Sequence, residues 1–484
     1  MQQNPQILSS TYKSFRNAQK QNVQGHEFIE IEPITKSSAL YEFELSGNEP
    51  LGFGIGTGFR VQGVFQSKAT GADSEWITAT ADDIKKVTLQ PNWFDHFIKQ
   101  VDVFYVNNQV NPNDMPPNTD AYINSFLYAH MHKDIKRMLC MEKCHPGNSV
   151  TVDHGNFKAK GATDTSTNEW HKYAESVFAK DQIEFLYTPL LKFPFYQDAN
   201  YIYGEDGGFT QIPINALGRM QIRVFMLEDT SALFNKFTGN TSSYRFVLNK
   251  MTLLTRELRM SPTSGRQLQS YKGIHNYRGV TKIGVCESIA ARNLTHRALL
   301  PNIDMPQGLF IFCLNKNVVN GTAKFQDMSL DGPFLPHNIK SVDVHLNGQH
   351  FSVKSPSIGS IGNFQMIRVN YANHIFKPPF GVLFDPEVAT FNRVGMAEDY
   401  AYPHIYIDLT ESGPHTRIQP VPADNNLVTN KLGDLTLILQ FNTPDGATAD
   451  SNYIITAFYT DHNLQLDMKT KRFSPLYNRN KNIN

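Results

Sequence analysis

The chain has 484 residues, with 45 Lys and Arg against 45 Asp and Glu, so that its formal net charge is +0. Hydrophobic residues make up 40% of the sequence and charged residues 19%, which excludes a mostly disordered chain and a polybasic nucleic-acid coat. The length predicts several domains, because ordinary domains run to about 100 to 200 residues. The low charged fraction and the lack of net charge favour a surface that contacts other copies.

Signals for a membrane or for export are missing from the sequence. It holds no run of about 18 apolar residues, so we expect no bilayer-spanning helix. The first residues, MQQNP, have neither the basic nor the apolar part of a signal peptide, so we expect a protein that is made and kept inside a cell. Four cysteines are too few for a disulfide framework in so long a chain, and we expect them to be reduced.

The N-terminal residues 1 to 25 are rich in Gln, Asn and Ser and carry Lys13, Arg16 and Lys20 without any acidic residue. This composition predicts a basic, flexible arm. From residue 26 onward the sequence changes to short runs in which apolar and polar residues alternate, a pattern typical of strands. Such runs occupy residues 28 to 32, 40 to 45, 59 to 65, 220 to 225, 309 to 314, 404 to 409 and 453 to 459.

One region of the sequence has a different period. Residues 120 to 131 and 169 to 178 space their apolar side chains by three and four positions, which predicts two helices. Residues 146 to 168, between them, are rich in Gly, Thr, Asn and Asp and predict an exposed loop. We therefore expect a helical and looped insertion around residues 111 to 181. Elsewhere the strands follow one another without long helices, which favours antiparallel sandwiches over a doubly wound sheet.

The sequence contains an internal repeat. Residues 96 to 103 read HFIKQVDV, and residues 337 to 344, which lie 241 positions later, read HNIKSVDV, with six of eight residues identical. Residues 217 to 224 (LGRMQIRV) and 432 to 439 (LGDLTLIL) form a second pair, 215 positions apart. In the first pair each strand leads to a turn, for which we expect the Asn-Asn or Asn-Gly that follows to take a positive φ. The two pairs occur in the same order in both halves, which indicates a duplication.

Duplication predicts the fold class and the domain boundaries. An all-β chain of two tandem eight-stranded jelly-roll sandwiches fits the size of each half and the number of strands. We expect the first jelly roll at residues 26 to 262 and the second at residues 276 to 468. A linker at residues 263 to 275 joins them, and a basic tail follows at residues 469 to 484. The extra length of the first half is explained by the predicted insertion.

The motifs resemble those of the double-jelly-roll major capsid proteins of Polinton-like viruses, adintoviruses and virophages. The likeness covers roughly residues 26 to 470 and rests on the order of the motifs and their duplication. The matching positions are residues 93 to 103 (WFDHFIKQVDV), the predicted helix with Tyr122 and Phe126, and residues 342 to 348 (VDVHLNG), 407 to 410 (IDLT) and 433 to 441 (GDLTLILQF).

The resemblance implies a structural role in a virion. It implies pseudo-hexameric homotrimers that assemble into an icosahedral shell around a DNA genome inside the host cell. The implied partners are further copies of the chain, neighbouring capsomers, and penton and minor capsid proteins. No catalysis and no cofactor are expected. The alternative is a glycan-cleaving or glycan-binding protein built on paired jelly rolls, which would be monomeric and would bind glycans.

A cluster of histidines and cysteines is the strongest local candidate for a metal site. It comprises His130, His132, Cys140, Cys144 and His145, whose imidazoles and thiolates are the ligand types that Zn²⁺ prefers. However, the spacing is not that of a zinc finger, and the sequence has no second cysteine pair to complete a tetrahedral site. We therefore expect reduced, half-buried cysteines on the predicted helices and no metal.

Both termini are basic although the whole chain is neutral. In the tail we single out Lys469, Lys471, Arg472, Arg479 and Lys481, because residues 468 to 481 contain no acidic residue. The resemblance places the termini at the base of the trimer, where basic tails would contact genomic DNA on the inner face of a shell. Alternatively the tail is solvated or acts as a clamp onto a neighbouring subunit. The apolar anchors of such a clamp would be Phe473, Pro475, Leu476 and Tyr477.

Overall fold

A computed structural model gives the fold of the chain over the stretches named below. The strands of the first half are β1 (Val23–Ile31), β2 (Thr35–Lys36), β3 (Leu40–Ser46), β4 (Leu51–Gly54), β5 (Gly58–Lys68), β6 (Ile77–Thr78), β7 (Val87–Leu89), β8 (Ile98–Tyr105), β9 (Asn108–Gln109), β10 (Asn113–Asp114), β11 (Ile183–Tyr187), β12 (Phe209–Ile212), β13 (Arg219–Met226), β14 (Phe234–Lys236) and β15 (Ser243–Met260). The strands of the second half are β16 (Ile274–Ile289), β17 (Thr295–Leu300), β18 (Gly308–Asn315), β19 (Ile339–Leu346), β20 (Gln349–Phe351), β21 (His404–Asp408), β22 (Leu435–Phe441), β23 (Asn452–Asp467) and β24 (Arg472–Leu476). Helices are α1 (Trp93–Phe97), α2 (Ile214–Leu217), α3 (Pro262–Ser270) and a 3-10 helix (Thr230–Leu233).

The structure describes eighteen stretches of the chain. These are residues 23 to 54, 57 to 71, 74 to 80, 82 to 83, 87 to 89, 93 to 106, 108 to 110, 113 to 114, 181 to 187, 209 to 236, 241 to 289, 295 to 300, 308 to 315, 339 to 346, 349 to 351, 404 to 408, 435 to 441 and 452 to 476. The predicted insertion helices and the loop at residues 146 to 168 lie outside these stretches.

Alternation of apolar and polar residues creates the strands. In β3 the side chains of Tyr41, Phe43 and Leu45 are buried, whereas Glu42 and Glu44 lie on the other face. The period of two places every second side chain on the same face of a sheet, and burial of that face stabilises the sandwich. All seven runs predicted as strands form strands, with ends that differ from the predicted ones by one or more residues.

The described strands of the first half form a seven-stranded and a five-stranded sheet, and four main strands of each follow a characteristic order. One layer has the order β1-β15-β5-β11, and the other has the order β3-β13-β8-β9. β4 also pairs with β15, beyond the part of β15 that pairs with β5. When these eight strands are counted along the chain, the layers read 1-8-3-6 and 2-7-4-5. This arrangement of eight antiparallel strands in two sheets is a jelly roll.

The second half repeats this topology. Its layers have the orders β16-β23-β18-β21 and β17-β22-β19-β20, which again read 1-8-3-6 and 2-7-4-5 along the chain. The chain is therefore a double jelly roll, which confirms the predicted fold class.

The two halves also share the register of their strands. β8 pairs with β13 in the first half, and β19 pairs with β22 in the second half. Each residue of β19 lies 241 positions after its equivalent in β8, and each residue of β22 lies 215 positions after its equivalent in β13. Equivalent residues are paired in both halves. Each pair contains a bulge at the same place, where Lys99 in the first half and Lys340 in the second have no partner in the register. The equivalent pairs are Val101↔Val224 and Val342↔Leu439, Asp102↔Arg223 and Asp343↔Ile438, and Val103↔Ile222 and Val344↔Leu437. The repeat read from the sequence is thus a structural repeat.

The hairpin after this strand turns between Tyr105 and Asn108. These two residues pair, so the two turn residues are at positions 106 and 107. Val106 has a positive φ of 48°, and Asn107 lies outside the described stretches, so the expected positive φ there stays a prediction. A two-residue hairpin needs φ > 0 at its first central position whatever residue stands there. The side chain of Val106 is 70% exposed, so it does not pack inside the protein.

Aromatic side chains fill the centre of the first jelly roll. Trp93 of α1 is fully buried, with its ring centroid 4.9 Å from that of Phe246 and 5.2 Å from that of Phe65. Phe94 of the same helix stacks edge-on against Phe185 at 5.0 Å. The short helix α1 therefore packs its aromatic rings on β5, β11 and β15 of one sheet and leads directly into β8 of the other.

Two connections differ from the predicted domain boundaries. β1 begins at Val23, inside the predicted arm, because residues 23 to 31 pair with the end of β15. The predicted linker at residues 263 to 275 contains most of α3 and the start of β16. None of the helices in the described stretches is long and apolar enough to cross a bilayer.

A side chain at position 63 would disturb the core. A Cβ on Gly63 would lie 2.3 Å from Cζ of Phe246 and 2.7 Å from the Val247 carbonyl oxygen. We expect Gly63→Ala to lower the free energy of unfolding by about 1 to 3 kcal/mol, the usual cost of overpacking. Urea unfolding measures this loss. The matched control is Gly265→Ala in α3, where nothing lies within 4 Å and alanine favours the helix. Equal stability of the two variants would contradict the packing described here.

Candidate functional site

The described part of the chain ends in a β-hairpin. β23 runs to Asp467, residues 468 to 471 form the turn, and β24 returns beside β23. The Asp467 carboxylate accepts hydrogen bonds from the Thr470 hydroxyl at 2.9 Å and from the Lys469 and Thr470 N–H groups at 2.8 and 3.3 Å. These bonds, led by that from the Thr470 hydroxyl, lower the pKa of Asp467. The charged carboxylate therefore holds the turn in one conformation at neutral pH.

The tip of this hairpin carries basic side chains. Lys469, Lys471 and Arg472 are all exposed, and Lys471 has a left-handed backbone with φ of 51°. Three of the five basic residues singled out in the sequence thus lie side by side. Arg479 and Lys481 lie outside the described stretches.

The underside of the hairpin packs on the first jelly roll. Leu466 and Met468 are buried in the same apolar cluster as the core of the first half. The Phe473 ring lies 5.7 Å from the Tyr105 ring at 75°, an edge-on contact, and burial raises the pKa of Tyr105. The last hairpin of the second half therefore packs against the first half.

This arrangement corrects the predicted tail, which was expected to begin at residue 469. Residues 472 to 476 pair with residues 463 to 467 instead, because β18 pairs with β23 only up to Tyr459 and leaves the rest of that edge to β24. Phe473, one of the expected anchors on a neighbouring subunit, packs within its own chain.

The connection from β15 to β16 carries two further basic residues, which the sequence reasoning missed. Arg266 in α3 and Lys272 after it are exposed. The Met468 N–H donates to the Gly273 carbonyl at 3.0 Å, which fixes this connection beside the turn. The sequence feature that could have indicated them is the lack of any acidic residue from 262 to 275. We call these five side chains the basic end; they are Arg266, Lys272, Lys469, Lys471 and Arg472.

The first strand starts at the same end of the molecule. Val23 pairs with Met260, and Met260 is followed by α3, whose connection leads to Ile274 opposite Asp467. The chain therefore enters β1 at the basic end. The basic residues of the predicted arm precede this point in the sequence.

The buried carboxylates of the described stretches have structural partners. Asp83 accepts hydrogen bonds from the Ser67 and Thr80 hydroxyls at 3.1 and 2.9 Å and from the Tyr244 hydroxyl at 3.3 Å. Asp102 accepts from the side-chain amides of Gln100 and Gln109. Such bonds satisfy a buried carboxylate and hold loops and strands in place.

The candidate metal ligands His130, His132, Cys140, Cys144 and His145 lie outside the described stretches, so their role stays a prediction. Within the described stretches, no group of three or more His, Cys, Asp or Glu side chains is placed to hold a metal ion.

Comparison with known proteins gives similarity in structure but not in sequence. No protein-family model and no curated protein matches the sequence. The structure of the Sputnik virophage contains a similar chain, with a TM-score of 0.56 and 11% identity over 94% of this chain and 89% of that chain. The Faustovirus major capsid protein is similar with a TM-score of 0.50 and 8% identity over 91% of this chain and 90% of that chain. The resemblance indicated by the sequence motifs is confirmed at the level of the fold.

Removing the Phe473 ring tests the contact between the hairpin and the first jelly roll. A fully buried Phe→Ala change costs about 3 to 5 kcal/mol, and Phe473 is half-buried, so we expect Phe473→Ala to cost about 1 to 3 kcal/mol. Urea unfolding measures the cost, and faster protease cleavage near residue 470 reports the released hairpin. Ile77→Ala, at a side chain that is 56% exposed, is the control and should change little. Cleavage at the wild-type rate would refute the contact.

Proposed function

We propose that the chain is a major capsid protein that assembles as pseudo-hexameric homotrimers into an icosahedral shell around a DNA genome. The duplicated jelly roll carries this proposal, because both halves repeat the same strand order and the same register, including the bulge at Lys99 and Lys340. The fold shared with the Faustovirus major capsid protein and with the Sputnik virophage over most of the chain supports the same conclusion.

Duplication gives a physical reason for such an assembly. Three copies of a chain with two similar sandwiches present six similar units around a threefold axis, so the outline of the trimer is nearly hexagonal. A nearly hexagonal unit has similar neighbours on all sides and can tile a shell. The zero net charge of the chain removes long-range repulsion between copies. We infer that its other partners are neighbouring capsomers, penton proteins and minor capsid proteins, and that it works without catalysis in the virion.

We infer that the basic end faces the genome. Five exposed Lys and Arg side chains from two connections lie there, and the N-terminal arm is attached at the same end. Lys and Arg that neutralise phosphates release counterions from nucleic acid, which makes such binding strong at low salt and independent of sequence. In a shell around nucleic acid, such contacts are best placed on the inner face.

Light scattering after size exclusion tests the assembly. We expect the purified chain to elute as a homotrimer of about three times 54.8 kDa, or as shells. A chain that stays monomeric and is retained by glycan columns would contradict the proposal and favour the glycan-cleaving or glycan-binding alternative.

The contact with DNA is tested by removing charge from the hairpin tip. We expect the triple variant Lys469→Gln, Lys471→Gln and Arg472→Gln to weaken binding to duplex DNA at 50 mM salt and to lower the slope of log affinity against log salt by up to about 3, since each phosphate contact contributes about 0.9. Fluorescence anisotropy over a salt series measures both.

The matched control for this test removes three positive charges elsewhere. Lys68 lies at the far end of β5, and Lys36 and Lys250 lie along the sandwich, so we expect the triple Lys→Gln variant at these positions to bind DNA almost as the unchanged protein does. The same loss in both triple variants would mean that only overall charge matters and would refute a localised contact.

A further inference from the structure

The two halves of the chain meet at two places. β10 of the first half pairs in parallel with β16 of the second, with Asn113 opposite Lys282 and Asp114 opposite Ile283. The other place is the basic end, where the turn of the last hairpin is hydrogen-bonded to the connection between β15 and β16. β16 pairs with β23 from its first residue, Ile274, onward. The short segment just before Ile274 therefore lies between ordered elements.

This segment carries an aromatic side chain, Tyr271, which the DNA contact inferred above does not use. It follows Ser270, the last residue of α3, whose hydroxyl donates to the Gln267 carbonyl at 3.1 Å. Tyr271 is 37% exposed. Single exposed apolar side chains are common on protein surfaces and need no explanation by themselves. The neighbours of the ring are what make it a candidate contact.

The glycine at position 273 shows where the ring lies. A Cβ on Gly273 would lie 2.2 Å from Oη, 2.3 Å from Cζ and 2.8 Å from Cε2 of Tyr271, so the hydroxyl end of the ring occupies the space beside the Gly273 backbone. The Gly273 carbonyl in turn accepts the Met468 N–H at 3.0 Å. The ring therefore lies against a residue that is bonded directly to the turn of the last hairpin.

The charged residues next to the ring in both connections are basic. Lys272 follows Tyr271, and Lys469 follows Met468, and both are exposed. Residues 262 to 275 and 468 to 481 contain no acidic residue. The carboxylate that starts the turn, Asp467, accepts three hydrogen bonds from Lys469 and Thr470 within the turn itself. An anion that approaches the ring thus meets exposed cations from two connections.

A ring between cations matches the chemistry of an unpaired nucleotide. Its phosphate is held by Lys or Arg, and its base offers a free face on which an aromatic ring can stack. In a duplex the neighbouring base pairs cover these faces, so a ring at the protein surface finds phosphates but no base to stack on. Cations alone bind both forms through their phosphates, whereas an exposed ring adds affinity only for the unpaired form.

We propose that the basic end binds unpaired stretches of nucleic acid, with Tyr271 stacked on a base and Lys272 and Lys469 holding adjacent phosphates. This inference rests on the proposed function, because it names the form of nucleic acid that the inferred genome contact prefers. The contact is independent of sequence, since every base has a face that can stack.

Removing the ring tests the proposal. We expect Tyr271→Ala to raise the dissociation constant for a labelled oligo-dT of about 20 nucleotides at least about fivefold, the smallest usual effect of losing one base–aromatic stack. The dissociation constant for a duplex of the same length should stay nearly unchanged. Tyr271→Phe keeps the ring and should bind both probes as the unchanged protein does. Fluorescence anisotropy with the full chain at 50 mM salt measures all three.

An exposed ring elsewhere on the first jelly roll provides the matched control. Phe28 is 46% exposed and has the Arg256 guanidinium 4.8 Å from its ring centroid, so it too combines an aromatic ring with a cation. It lies opposite Arg256 in the β1–β15 pair, four residues along β15 from Met260 or about 13 Å from the basic end of that strand. We expect Phe28→Ala to bind both probes normally. An equal loss in both alanine variants would overturn the proposal.

The salt dependence separates this inference from the DNA contact on which it rests. The tyrosine is uncharged, so Tyr271→Ala should keep the slope of log affinity against log salt, whereas the triple variant at Lys469, Lys471 and Arg472 should lower it. If the triple variant lowers the slope but Tyr271→Ala weakens oligo-dT no more than duplex, the stacking contact is wrong and the DNA contact stands. If the unchanged protein binds neither probe, both fail.

Discussion

One strand pair with a single bulge determines how each jelly roll is built. The side chains of Val101 and Val103 point into the core of the first half, and so does that of Ile98, three positions before Val101. In a regular strand, residues three apart lie on opposite faces, so the unpaired Lys99 is what turns Ile98 inward. A slip by one residue would expose the whole apolar set. The same bulge at Lys340 shows that the second half obeys the same constraint.

Polar side chains on the outer faces of the sheets favour the same strand register. On the outer face of one layer, Arg223 lies 2.9 Å from Glu42 and stacks over the Phe104 ring. On the other layer, Arg60 joins β1, β5 and β11 through Glu30 and Glu184, which raise its pKa. Exposed ion pairs contribute little stability, typically below about 1 kcal/mol each. Instead, these ion pairs favour one alignment of neighbouring strands. The same alignment buries the apolar side chains on the inner face of each sheet.

The fold could be predicted largely from the sequence, whereas much of the candidate site could not. Alternation in short runs and two repeated motifs were enough for two jelly rolls, because side-chain period and burial are local properties. The hairpin of residues 467 to 472 was missed, since its position depends on an edge of β23 that no local pattern reveals. Arg266 and Lys272 were missed for the same reason: about 200 residues separate their connection from the turn to which it is hydrogen-bonded at Gly273. The positive φ at Val106 runs against the preference of valine and follows only from the strand pairing.

The pairing of β10 with β16 has a consequence for how such a chain can evolve. Each half has its own eight strands and looks like a complete unit, as the copies of an ancestral single jelly roll would have been. Yet a fragment that starts at Ile274 would lose the strand that covers Lys282 and Ile283, and a bare edge joins other chains without discrimination. It would also lose the apolar surface on which Leu466 and Met468 are buried. Separated from the first half, the second half would therefore expose both an unpaired strand edge and apolar side chains that the intact chain keeps buried.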